Sequence, residues 1–510
     1  MSVRTGRHPG KRLSPLRVLI GVAVVLAVTG AAIVVPWQLS RTAPITTAGA
    51  GPHWFGGYFD VTAAPVSEQP NASDASDTVV LAFIVAQSDM SCVPTWGGAY
   101  GLRQAGSELD LDRRVDQMRR DGTHVAVSFG GAINTELASA CASVPDLMKA
   151  YSAVLDRYDI TAIDLDLEGE NLADTVAAER RADAVAALQQ QREAAGGRLD
   201  VWVTLPVATD GLTDEGLQAV RTLLRGGVDL AGVNVMTMNY GTDLNRRSLA
   251  DVSIEALEAT HDQLADIYAE LRIGLPAEGA WAVLGATPMI GQNDIASEVF
   301  TIDDARELNA FARKAKLARL SMWSLNRDRQ CGTNYPDLSV VSDACSGVDQ
   351  AGLSFAGVLA NGFDGERLES DDPAPTPFTP VPDDPATSPY PIWSPETSYS
   401  AGVRVVWHGY VYSAKWWVTG GPQPDDPIAT ADQTSWVLVG PVMPDDEPFA
   451  LPTLPAGTYP EWSETQAFEK GARVMFEGVG YRAKWWTLGD LPSDGITDRD
   501  RSPWALIDEE

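Results

Sequence analysis

Residues 161–170 read TAIDLDLEGE, and in them Asp164, Asp166 and Glu168 alternate with Ile163, Leu165 and Leu167. Successive residues of a strand point to opposite faces, so the three carboxylates share one face and the aliphatic side chains the other. A strand that is apolar outside and acidic inside suits the wall of a parallel barrel covered by helices. Neighbouring acids at that spacing lie roughly 6–7 Å apart along the strand. They cannot all ionise cheaply, so at least one pKa should be pushed up, as a general acid requires. An edge strand with a solvated acidic face is the bland alternative, and the apolar flanks argue against it.

Working outward, residues 53–366 alternate short β-rich runs with amphipathic helical stretches. Eight strands are expected, at 54–62, 78–86, 124–131, 161–169, 201–207, 232–241, 283–291 and 320–328. Helices such as 146–158 and 302–316 fall between them. The expected fold is therefore α/β, a (β/α)8 TIM barrel. On this register the acids, Asn239 and Tyr240 sit near the C-terminal ends of their strands, where such barrels carry chemistry. About thirty residues separate the seventh strand from the eighth, room for one helix but not for an inserted lid. An open groove is expected.

The formal net charge of −31 argues against nucleic acid or an anionic membrane surface as partner, and is compatible with a neutral polysaccharide. The five histidines, His8, His53, His124, His261 and His408, never pair at metal-ligand spacing. Neither HExxH nor CxxC occurs, and there is no Gly-rich phosphate loop, so no metal and no cofactor is expected. A basic segment at 1–17 precedes an uncharged, mostly apolar run at 18–40, and 41–52 reads as a linker. That run is long enough to span a bilayer, with its basic flank inside. A retained transmembrane anchor is favoured over a signal segment cleaved near the small residues 48–51. Either way the remainder is expected outside the cytoplasm, secreted or at the cell surface. Four cysteines in such a chain point to two disulfides. Of the three pairings possible, Cys331–Cys345 is local, which leaves Cys92–Cys141. A monomer is assumed.

Residues 367–388 are rich in Pro and Asp and read as an extended linker; 442–458 is a second. Between and after them lies a repeat, at 389–441 and 459–508. Trp393, Tyr399, Gly402, Arg404, Gly409, Tyr412 and AKWW at 414–417 recur 69 residues later, as Trp462, Phe468, Gly471, Arg473, Gly478, Tyr481 and AKWW at 483–486. Nine of the fifteen tryptophans fall in these copies. Modules so small cannot bury them all, so some indoles should be displayed, and the apolar face of a sugar ring stacks on indole. Trp393 and Trp462 are expected in small cores. Adjacent strand residues point opposite ways, so one of Trp416 and Trp417, and one of Trp485 and Trp486, should be displayed.

With these residues assembled, the chain resembles glycoside hydrolase family 18, the chitinases. IDLDLEG at 163–169 is similar to that family's DxDxE signature, and SFGG at 128–131 to its SxGG strand. TLPV at 204–207, VNVMTMNYG at 233–241, TPMIGQND at 287–294 and MWSLNRD at 322–328 resemble later strands of its bacterial chitinase D-like branch. The C-terminal copies resemble chitin-binding modules of carbohydrate-binding families 5 and 12. The resemblance implies an exported chitinase whose substrate's own 2-acetamido group is the nucleophile. Glu168 would be acid and then base, Asp166 would orient the acetamido group, and Asp164 would hold Asp166. Tyr240 would hydrogen bond near the acetamido group, with Asn239 beside it, and Trp323 would floor the distorted sugar. Chitin or N-acetylglucosamine oligosaccharides are the implied partners.

Asn239 departs from the pattern, since relatives usually carry Asp there. One fewer carboxylate should raise the Glu168 pKa less, which predicts an acid-shifted optimum or reduced activity. Two other functions fit the same resemblance. An endo-β-N-acetylglucosaminidase would use the same acetamido chemistry, but the chitin-type modules count against it. A non-catalytic chitin lectin or adhesin would keep the groove and lose the acid, whereas here Glu168 is present.

Overall fold

The computed structural model describes residues 53–63, 78–241, 244, 247–333, 335, 337, 340–363, 380–419, 421, 423–426 and 433–507. The segments expected as basic tail and membrane anchor, 1–17 and 18–40, lie outside the described residues, as do the 41–52 linker and most of the 367–388 linker. Among the described residues no helix is long and apolar enough to cross a membrane.

Eight parallel strands close on themselves: β1 (Trp54–Asp60), β2 (Thr78–Ser88), β3 (His124–Gly130), β4 (Ala162–Asp166), β5 (Asp200–Ala208), β6 (Leu230–Met236), β7 (Leu284–Thr287) and β8 (Arg319–Met322). Each pairs with its sequence neighbours, and β8 pairs back onto β1, from Trp54 opposite Arg319 to Gly57 opposite Met322. Around them run α1 (Leu111–Arg120), α2 (Val144–Arg157), α3 (Thr175–Ala194), α4 (Asp214–Arg225), α5 (Leu249–Leu271), α6 (Ile302–Ala315) and α7 (Phe355–Ala360). The helices start where side-chain oxygens cap free backbone N–H groups. Ser143, Thr213 and Ser248 do so for α2, α4 and α5, and Thr301 with Asp304 forms a reciprocal box on α6. Ile163, Leu165 and Leu167 are buried in the large barrel core, as alternation requires.

All eight expected strands are present, but four stop early at the C-terminal rim. The run read at 161–169 ends at Asp166, 232–241 at Met236, 283–291 at Thr287 and 320–328 at Met322. Beyond these points only single backbone hydrogen bonds continue, such as Leu167 N–H to the Thr204 carbonyl and Thr237 N–H to the Thr287 carbonyl, and the chain turns away with Gly169, Asn239 and Gly291 at positive φ. Glu168, Asn239, Tyr240 and Trp323 therefore sit on the first residues past the strands. Disulfides join Cys92 to Cys141 and Cys331 to Cys345, tying segments that follow β2 and β3 and closing the segment after β8. Between β7 and β8 there is only the small hairpin Gly291–Gln292 with Val299–Phe300, and α6.

Each C-terminal copy builds a three-stranded antiparallel sheet. In the first these are Arg404–Trp407, Tyr410–Ala414 and Trp436–Pro441; in the second Arg473–Phe476, Val479–Ala483 and Trp504–Leu506. Trp393 and Trp436 are buried in one small core and Trp504 in the other, against which Trp462 packs.

The copies do not hang on loose tethers. Arg113 of α1 pairs with Asp446 at 2.9 Å, and buried Asp110 receives Arg404 at 2.8 Å and the Tyr390 hydroxyl at 2.9 Å. The first copy approaches α1 so closely that a Cβ on Gly440 would lie 2.5 Å from the Arg113 carbonyl oxygen. The second copy docks on the first: Trp417 Nε1 donates to Asp498 at 3.1 Å, and the Arg501 guanidinium lies 3.6 Å over the Trp417 ring. Even the linkers take part, since Asp383 accepts the backbone N–H groups of His408 and Gly409, and Phe449 N–H donates to the Ser388 carbonyl.

Candidate active site

The β4 acids enter the barrel from its wall, and each meets a different environment. Asp164, 1% exposed, accepts four hydrogen bonds. Tyr58 and Ser128 hydroxyls donate to Oδ2 at 2.8 Å each, and the Thr204 hydroxyl and Arg319 Nη1 donate to Oδ1 at 2.7 Å each. Arg319, at the start of β8, is fully buried and also donates to the Tyr58 hydroxyl at 3.0 Å and to Ser321 at 2.6 Å. Its guanidinium faces the rings of Trp54, Tyr58 and Trp202 at 4.8 to 5.4 Å. Burial works against that charge, but Tyr58 and Asp164 more than offset it and hold the Arg319 pKa above its ordinary value.

Two residues on, Asp166 is buried and its Oδ1 has no hydrogen-bond partner. Burial first, then the charges of Glu168 and Asp164, push its pKa well above the carboxylate range, with Arg319 opposing. Glu168 follows in extended conformation, φ −133° and ψ 159°, so alternation continues past the end of β4 and its carboxyl stays on the acid face. It is half-buried, and its pKa is raised by burial and then by Asp294. The charge that acts on Glu168 is thus that of Asp294 rather than that of its strand neighbour. Behind the acids, Gly130 takes φ +111°, and a Cβ there would lie 2.0 Å from the Asp166 carbonyl oxygen. Only glycine lets β3 pass this close to β4.

Asp294 corrects the expectation attached to Asn239. Asn239 does lack the charge, but its Nδ2 donates to Asp294 Oδ2 at 2.6 Å, and Asp294 N–H donates back to Asn239 Oδ1 at 3.0 Å. The segment after β7 thus supplies the carboxylate that the segment after β6 omits. Tyr240 is placed differently from the expectation. Its half-buried ring turns the hydroxyl to Ser253 of α5 at 3.5 Å, and the carboxylates acting on it are Glu298 and Glu255, not the β4 acids. Its backbone is gripped by buried Glu298, which accepts the N–H groups of Tyr240 and Gly241 at 3.0 and 2.8 Å. Trp323 stacks on Phe83 with centroids 5.5 Å apart and planes at 20°, and tilts against Tyr58, forming an aromatic wall beside the acids. Trp416, Trp417, Trp485 and Trp486 lie on the C-terminal copies, apart from this cluster. Exposure of the side chains is 46% for Trp416, 44% for Trp485 and 54% for Trp486, whereas Trp417 is covered by Arg501.

Sequence reasoning missed Tyr58, Thr204, Asn234, Arg319 and Asp294. Arg319 had a visible signal, an arginine opening an otherwise apolar strand beside MWSLNRD. Asp294 stood within the quoted TPMIGQND without being singled out. Among the described residues no group of His, Cys, Asp or Glu is arranged to hold a metal ion. Two neighbouring carboxyls whose pKa values are both raised can give and take a proton at a neutral substrate.

No family model matches the chain. It is 35% identical over 257 residues to a probable bifunctional chitinase/lysozyme of Escherichia coli (strain K12), covering 50% of this chain and 28% of that protein. It is 33% identical over 258 residues to Endochitinase 11 of Metarhizium anisopliae, covering 49% and 47%. The match thus spans less than half the length of either curated relative. Among solved structures, the catalytic domain of a hyperthermophilic chitinase from Pyrococcus furiosus is 30% identical with a TM-score of 0.51, covering 62% of this chain and 97% of that one.

The Asp166 environment predicts a stability signature. Its folded pKa lies above the unfolded value of about 3.9, so above that pH the folded state binds the extra proton and stability falls as pH rises toward the folded pKa. Asp166→Asn should therefore raise the urea midpoint relative to the parent, by a margin that widens from pH 4 to pH 8. A margin independent of pH would show that Asp166 is not held protonated.

Proposed function

We propose that this chain, which belongs to the family 18 chitinases, hydrolyses β-1,4 linkages between N-acetylglucosamine residues of chitin with the substrate's acetamido group as nucleophile. The observation that carries the reading is the unpartnered, buried Oδ1 of Asp166, set between the fully bonded Asp164 and the raised-pKa Glu168. Glu168 gives its proton to the glycosidic oxygen as that bond to the anomeric carbon breaks. The acetamido carbonyl oxygen bonds to the anomeric carbon from the other face, and Asp166 Oδ1 accepts the acetamido N–H. Water then attacks the anomeric carbon as its bond to the acetamido oxygen breaks, gives a proton to Glu168 and releases the sugar with retained configuration. The Trp323–Phe83 stack offers an apolar floor for the distorted ring.

The rim between β7 and β8 carries no inserted domain, which supports an open groove and cleavage within chains. Glu168 in this setting counts against a purely binding role. The two disulfides and the sequence of residues 1–40 support a place outside the cytoplasm. We assign attachment to insoluble chitin to the C-terminal copies, the second above all. It displays both indoles of its AKWW, whereas the first displays Trp416 alone because Trp417 is taken up by the contact between copies. Held against the barrel, this surface moves with the groove, so attachment raises the local concentration of substrate ends and chains without searching through a long tether.

Product release from colloidal chitin and chitotetraose, resolved by mass spectrometry, tests the assignment. The parent should release N-acetylglucosamine oligomers and Glu168→Gln should lose at least ~100-fold in kcat; chitin binding without turnover by either would make the protein a chitin lectin. Asp294→Asn removes a negative neighbour, lowers the Glu168 pKa and should move the alkaline limb of the pH–rate profile to lower pH; an unmoved limb would assign Asp294 a positioning role only. Trp485→Ala with Trp486→Ala should weaken binding to insoluble chitin at least ~tenfold, a loss of ~1.4 kcal/mol or more, with chitotetraose turnover unchanged. Equal losses from Trp417→Ala would contradict the unequal display of the two copies.

A further inference from the structure

We infer that Arg319, at the barrel end of β8, is a positioning residue that pins the negative charge on Asp164 and so leaves the exchangeable proton on Asp166. The inference rests on the catalytic reading above and adds to it the residue that decides which member of the Asp164–Asp166 pair is charged.

Hydrogen-bond direction carries the argument. A guanidinium only donates, and so does the amide nitrogen of Asn234. Arg319 donates to the Tyr58 hydroxyl at 3.0 Å, and Asn234 Nδ2 donates to Thr204 at 3.0 Å and to Thr287 at 2.7 Å. The Tyr58 and Thr204 oxygens therefore receive from below, and their single protons are free to point at Asp164, at 2.8 and 2.7 Å. Ser128 and Arg319 itself complete four donors on two carboxylate oxygens. A proton on Asp164 would find no acceptor and would displace one of the four. Asp166, by contrast, has an oxygen with no donor at all. The proton the pair retains belongs there.

Charge acts the same way. The titratable groups facing Asp164 are Tyr58 from β1, Arg319 from β8 and Asp166 on its own strand; Ser128, Thr204 and Asn234 from β3, β5 and β6 are neutral. Beyond Asp166 come Glu168 and then Asp294, both carboxylates. Arg319 is the one cation named in that set; it also opposes a proton on Asp166, but its contact at 2.7 Å is with Asp164, the β4 acid deepest below the C-terminal rim, and there its pull is strongest. The three surrounding rings exclude water from the pair, so its attraction is little screened.

The test follows the pH at which the pair takes up a second proton, which the acid limb of the pH–rate profile reports. On chitotetraose, Arg319→Met should lower kcat with KM within about twofold, and move the acid limb upward by roughly one to three pH units. Arg319→Lys, which keeps the charge, should hold the limb near its parental place. A limb that stays put while only the amplitude falls would reduce Arg319 to a structural residue and overturn the inference. Should Arg319→Met fail to fold, the double variant Arg319→Met/Asp164→Asn removes both charges together. Its limb should lie within roughly half a pH unit of that of Asp164→Asn alone, the remainder being the direct pull of Arg319 on Asp166; a larger shift in the double would overturn the claim that Arg319 acts through Asp164. Infrared difference spectra at pH 6 are independent of activity. Recorded in the Glu168→Gln background, which removes that acid's own band, the protonated-carboxyl band should vanish on adding Asp166→Asn and persist on adding Asp164→Asn; the reverse would overturn the inference, whereas an inactive parent with the expected bands would overturn only the proposed function.

Discussion

A carboxylate can stay ionised inside a closed, apolar barrel only if charge and hydrogen bonds replace the water it has lost, and at Asp164 six strands join to do so. Tyr58 comes from β1, Ser128 from β3, Thr204 from β5, Asn234 from β6, Thr287 from β7 and Arg319 from β8. Breaking a buried pair of this kind by removing one partner costs roughly 3–5 kcal/mol. The network therefore links the proposed catalytic acids to fold closure. Arg319 reaches Asp164 only because β8 pairs back onto β1.

Above that fixed point the carboxylates separate by environment rather than by type. Asp164 is saturated with donors, Asp166 is buried with an open acceptor, and Glu168 is half-buried at the rim. Such a gradient lets similar groups take different roles in one reaction. Asn239 illustrates how a position can be lost and its charge kept. The carboxylate expected after β6 is supplied by Asp294 after β7, and the two side chains hold each other through reciprocal hydrogen bonds.

The C-terminal copies were visible in sequence as a repeat, yet they are not equivalent in space. Trp417 and Trp486 occupy the same repeat position, but Asp498 and Arg501 cover the first while the second is open. Counting indoles could show that not all could be buried. It could not show which would be consumed by a neighbouring copy, because the covering groups lie more than eighty residues along the chain. The linkers read as extended in sequence, and in space Asp383 and Asp446 within them are fixed partners of backbone or arginine groups.

Local periodicity determined the eight strands, the inward face of TAIDLDLEGE, the pairing of Cys331 with Cys345 and the two copies, since each depends on residues close in sequence or on a repeated pattern. Tertiary structure alone decided which groups stand against which acid. Tyr58 and Arg319 meet across 261 residues, Asn239 and Asp294 across 55, and Tyr240 turned its hydroxyl to α5. Strand alternation says which way a side chain points; only the closed barrel says what it meets there, and the charge of a buried carboxyl depends on what it meets.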